Sequence, residues 1–152
     1  MKYTLTLAFT AIIGFVYAQK DTTNYNKALA DSLGADDYGM KNYTLVILKT
    51  GSNTTTNKAF IDSMFRGHLN NIGKLAKDGK LVIAGPILEK NTNQYRGIFV
   101  LNAQNKTDAK ALLASDPAIA ANLLDAELYS WYGSAALPIY LPYHSKIAKN
   151  NP

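Results

Sequence analysis

The sequence predicts an α+β domain in which two helices lie on one face of a four-stranded sheet, in the order β-α-β-β-α-β. Three observations predict it. Two stretches carry apolar residues at helical spacing. Four short runs alternate or are rich in β-branched and aromatic residues. Glycine, proline or a polar cluster marks the junctions between them. The chain has 152 residues, and the length left after its N-terminal segment suits a single domain.

That segment reads as an export signal. Met1 and Lys2 are followed by an apolar run over residues 5–16, and Val16-Tyr17-Ala18 places small or tolerated residues ahead of Gln19. The pattern is a signal peptide over residues 1–18, cleaved before Gln19, with a secreted or periplasmic destination. The run falls short of the about 20 residues that a membrane span needs; an uncleaved anchor is the alternative. Residues 19–42 form an N-terminal arm. In it Tyr25, Leu29 and Leu33 recur one helical turn apart and Gly34 follows, so a short helix is expected over 25–33.

The first strand covers residues 43–49, where β-branched and aromatic residues dominate, and a polar loop over 51–57 ends in Thr56 and Asn57, either of which would cap a helix. The first core helix runs over 58–78. Ile61, Phe65, Ile72, Leu75 and Ala76 fall on one face, and Gly79 supplies a left-handed stop. Short apolar runs at 81–84 and 97–101, separated by Gly85-Pro86 and the polar turn 89–94, form an antiparallel pair. An alanine-rich helix over 107–114 restarts at Pro117 and runs to about residue 123, and an alternating segment at 126–132 makes the last strand. The order is ferredoxin-like, and it leaves one sheet face bare. A second copy commonly covers such a face, so a homodimer is expected. Residues 133–142, with Pro138 and Pro142, are expected to lie extended over the domain. Residues 143–152 form a tail in which His144 is exposed.

Composition excludes several functions. The net charge is +5, about +4 without Lys2, and the lysines are scattered, so nucleic acid is not an expected partner. With no cysteine and two histidines far apart, no metal site is expected. No glycine-rich phosphate loop and no Ser-His-Asp hydrolase signature is present. Three Asn-X-Thr sequons, at Asn42, Asn53 and Asn105, matter only in a eukaryotic source.

What remains is His68. It lies three residues after Phe65 and four before Ile72, so its ring points to the buried side of the first core helix. Two readings stand side by side: a core histidine satisfied by a carbonyl, or a general acid or base held near its working range by burial beside a carboxylate. Asp116 carries a similar pair of readings. It precedes Pro117 as a preferred helix cap, and a cap's second oxygen is free to orient a histidine.

Arg66-Gly67-His68-Leu69, Gly79-Lys80-Leu81-Val82-Ile83-Ala84-Gly85-Pro86, Tyr95-Arg96-Gly97-Ile98-Phe99-Val100-Leu101 and the segment from Ala111 to Asp116-Pro117, in this order and spacing, resemble a YCII-related domain over residues 43–142. The resemblance implies a dimeric α/β barrel of ferredoxin-like protomers, with a pocket between sheet and helices and no cofactor. His68 and Asp116 match that family's histidine–aspartate dyad. The family includes a cofactor-free enzyme that eliminates chloride from a hydroxylated aromatic ring, and it shares its fold with muconolactone isomerases. The implied reaction is therefore proton abstraction from a small cyclic or aromatic substrate, by a lyase or an isomerase. The signal peptide and the arm depart from the family's short cytoplasmic members.

Arg66, Arg96 and Tyr95 are the candidate substrate contacts. The two arginines suit an anionic substrate or are solvated surface charges. Tyr95, like Tyr129, Trp131 and Tyr132, supplies a pocket wall, core or dimer interface. The alternative to an enzyme is a non-catalytic dimer that binds a small ligand.

Overall fold

The structure, a computed structural model, describes residues 24–149. The expected signal peptide lies outside the described residues. The arm carries helix α1, Lys27–Leu33, capped by the Asn26 side chain and ended by Gly34 in the left-handed conformation.

Four strands, β1 (Met40–Thr50), β2 (Leu81–Pro86), β3 (Tyr95–Leu101) and β4 (Leu124–Ser134), form one sheet in the order β2-β3-β1-β4. Every pairing is antiparallel. Helix α2, Lys58–Lys77, crosses from β1 to β2; α3, Lys106–Leu113, and the single turn α4, Pro117–Ala120, cross from β3 to β4. This is the ferredoxin-like α+β fold. Both crossovers lie on one face, where Val46, Leu48, Phe99 and Leu101 of the sheet pack against Leu75 of α2, Leu113 of α3 and Ala118 of α4. Burial of this apolar layer is the main force holding helices to sheet.

Local chemistry fixes the helix ends. The Asn57 side chain accepts from the Phe60 amide at 3.1 Å to start α2, and Gly79, at φ 67°, turns the chain out of it. Asn105 caps α3 in the same way, accepting from the Asp108 amide at 2.9 Å. Helix α4 is shorter than its sequence suggests because Asn122 takes a positive φ of 56°. The loop after β1 locks that bend: the Asn53 side chain donates to the Ala121 carbonyl at 2.8 Å, and the Gly51 amide donates to the Leu123 carbonyl at 3.0 Å.

The segment expected to be extended is not. After β4 the chain makes a 3₁₀ turn, Leu137–Tyr140, and a helix α5, Leu141–Ile147. Pro138 and Pro142 sit in the first turn of each, where a missing N–H disturbs no intrahelical bond. This tail crosses the sheet face opposite the helices. Leu137 packs on Tyr43, Val82 and Val100, and the Tyr140 hydroxyl donates to the Val82 carbonyl of edge strand β2. The face is therefore not bare, as the sequence suggests, but partly covered by the chain itself. Leu45, Ile47 and Ile98 on this face remain half-buried.

Candidate active site

Gly67 sets how closely α2 approaches α4. A Cβ there would lie 2.7 Å from Cγ of Pro117 and 3.1 Å from its Cβ, closer than packed carbons approach. The neighbours of these two residues meet as a result. His68 Nδ1 lies 2.6 Å from Asp116 Oδ2, and the pair is buried.

The two oxygens of Asp116 have separate partners. Oδ1 accepts from the amides of Ala118 at 2.9 Å and Ile119 at 3.3 Å, capping α4, while Oδ2 faces the imidazole. Cap and orienting carboxylate are one residue. Burial alone pushes the Asp116 carboxyl up, but the hydrogen bond and charge of His68, together with the Ile119 and Ala118 amides, outweigh it and hold the group below the usual carboxylate range.

A carboxylate only accepts hydrogen bonds, so Nδ1 of the neutral ring carries the proton and Nε2 is left with its lone pair. Among the described residues, Nε2 has no protein hydrogen-bond partner, yet no buried side-chain nitrogen or oxygen is left without one. Nε2 is thus open to the cavity beside it. The ring is held by stacking on Phe99, with centroids 5.8 Å apart and planes at 21°, and by an edge contact with Phe65 at 6.1 Å.

The cavity measures about 450 Å³ and lies between α2 and strands β2 and β3. Phe65, Ile72, Leu81 and Phe99 form apolar walls, and the tail adds Tyr140, Leu141 and His144. Its size falls in the range of small-molecule pockets, about 300–1,000 Å³. Of the three candidate substrate contacts, only Arg96 lines the same cavity as His68. The pairing of β1 with β3 shifts register between Leu48, opposite Gly97, and Lys49, opposite Tyr95. Arg96 is the extra residue, and it lines the cavity, whereas Tyr95 shares the other sheet face with Lys49. Arg66 is exposed on α2 and does not line the cavity. A bulge of this kind re-aims one side chain without disturbing the strand around it.

His144 is exposed, but it belongs to the cavity wall. A signal for it existed in the sequence: Tyr140, Leu141 and His144 share one helical face once Pro142 is taken as a first-turn residue. Among the described residues no three histidine, cysteine or carboxylate side chains cluster closely enough to hold a metal ion. No helix among them is long and apolar enough to cross a membrane.

Fold and site together define a ferredoxin-like domain with a carboxylate-oriented histidine at an apolar cavity. No protein-family profile matches the chain, and no curated protein matches it. Among solved structures, it is similar to the 5-chloro-2-hydroxyhydroquinone dehydrochlorinase of Burkholderia phenoliruptrix AC1100, solved in complex with 2,5-dihydroxybenzoquinone. The likeness has 18% sequence identity and a TM-score of 0.43, over 58% of this chain and 92% of that one.

Proposed function

We propose that the protein is an exported, cofactor-free enzyme of the YCII-related kind, in which His68 moves a proton on a small cyclic or aromatic substrate and Asp116 orients it. One observation carries this reading: Nδ1 is tied to a buried carboxylate at 2.6 Å while Nε2 is open to the cavity. A histidine kept only to satisfy a core has no need of a free second nitrogen. In the reaction Nε2 takes a proton from carbon. The electron pair left behind either forms a double bond and expels a leaving group, or shifts a double bond so that the imidazolium returns the proton elsewhere. Asp116 stabilises the imidazolium that forms between these steps. Family membership is supported by the ordered segments around Gly67-His68, Gly85-Pro86, Gly97 and Asp116-Pro117, all of which border the cavity or the His68–Asp116 contact.

Carbon–hydrogen exchange in D₂O tests the proposal without a known product. A panel of small cyclic ketones and butenolide lactones, followed by NMR, is expected to include at least one compound whose exchange the protein accelerates. His68→Asn should then lower that rate about 10²–10⁴-fold. Equal exchange by wild type and variant would remove the catalytic reading and leave a ligand-binding protein.

A further inference from the structure

The cavity lining carries one unpaired cation. Among the described residues it contains one arginine and two histidines and no aspartate or glutamate; the Asp116 carboxylate lies behind His68, committed to that ring and to the α4 cap. Arg96 forms no salt bridge and no side-chain hydrogen bond among the described residues, although Lys27, Lys49 and Lys58 each pair with a carboxylate. The strand is bulged at this point, and Arg96 lines the cavity instead of following the alternation of the strand. The other polar groups are largely engaged: the Tyr140 hydroxyl is committed to the Val82 carbonyl, and His68 Nδ1 to Asp116. Arg96 is exposed to solvent, so its charge draws an anion to the cavity through a potential that salt screens.

We propose that the cavity takes a small cyclic or aromatic carboxylic acid as its anion, with Arg96 as the anchoring residue and His144 as a second, weaker contact from the tail. The inference rests on reading the cavity as the substrate site, but not on proton transfer there. The guanidinium fork matches a carboxylate through two parallel hydrogen bonds. The flat walls of Phe65 and Phe99 suit a ring.

Benzoate and its neutral isostere benzamide are the probes, titrated into the full mature chain and followed by NMR at the amides of the cavity residues Gly97 and Phe99. Benzoate is expected to bind at least about tenfold more tightly than benzamide, with a preference that shrinks in about 0.5 M NaCl. Arg96→Met should bring the two probes within about twofold by weakening benzoate alone, and Arg96→Lys should retain part of the preference. His144→Ala should weaken benzoate less than Arg96→Met does. His68→Asn should keep the preference while removing carbon–hydrogen exchange, so the anion site and the base fail separately. Equal affinities in wild type, no shift at the cavity amides with either probe, a preference that survives Arg96→Met, or a larger loss from His144→Ala would each overturn the assignment.

Discussion

Asp116 uses one oxygen for the backbone of α4 and the other for His68, so its substitutions divide by which oxygen they spare. Asp116→Ala loses both contacts. Helix caps are worth about 0.5–2 kcal/mol and an unpaired buried donor costs about 1–3 kcal/mol, so urea unfolding should show a loss of about 2–4 kcal/mol. Asp116→Asn keeps a good cap and should stay within about 1 kcal/mol of wild type. The acid dependence has a definite sign. Because the folded state holds the Asp116 carboxyl below its ordinary value, the unfolded chain binds the proton more readily. The resulting stability is present above the unfolded pKa of about 4 and is lost as pH falls through it toward the folded value. Urea midpoints measured from about pH 6 to pH 3 should therefore fall more steeply for wild type than for Asp116→Asn, which has no such proton to take up.

Helix α2 contains two glycines that make the same substitution read oppositely. At Gly67 a Cβ meets the stiff ring of Pro117 at 2.7 Å, whereas at Gly73 nothing lies within 4 Å. Gly73→Ala should gain up to about 1 kcal/mol from helix propensity. Gly67→Ala has the same gain but adds overpacking of about 1–3 kcal/mol, and should come out about 1 kcal/mol less stable by urea unfolding, with α4 pushed from His68. The elements themselves were legible. Asn57 and Gly79 bound α2 in sequence as in structure, and the four strands contain the β-branched, apolar and alternating runs that marked them. Their ends were less so: Met40 to Asn42 pair with Tyr132 to Ser134 through backbone bonds that side-chain periodicity does not report. The site was legible at His68 and Asp116, whose helix-face position and cap are local features. Arg96 was already a candidate contact by its charge, but its place in the cavity follows from a register shift that alternation does not report; His144 was hidden, because proline read as a barrier to helix instead of a first-turn residue.

For the whole molecule, the half-covered sheet face carries the expectation of a partner. Ile47 and Ile98 are cross-strand neighbours, half-buried like Leu45 on this face. A homodimer through this face should give twice the chain mass by light scattering at micromolar concentration, and Ile47→Lys should return the monomer mass, because a charge at an apolar interface core is costly. A monomeric wild type would refute this interface. Export is tested by intact mass: a mature chain beginning at Gln19 is expected, and a full-length cytoplasmic form as the sole species would contradict it.

The proposed proton transfer turns on one nitrogen, His68 Nε2, which is a proton acceptor only if Asp116 holds the ring proton on Nδ1. Long-range ¹H–¹⁵N NMR on imidazole-labelled protein, at a pH where the ring is neutral, reads this directly. The proton is expected on Nδ1 in wild type. Asp116→Asn should give the reverse tautomer: there the amide oxygen replaces Oδ1 at the α4 cap, the amide NH₂ turns to Nδ1, and the proton moves to Nε2. A wild-type ring carrying its proton on Nε2 would leave no base facing the cavity and would rule out proton transfer by His68.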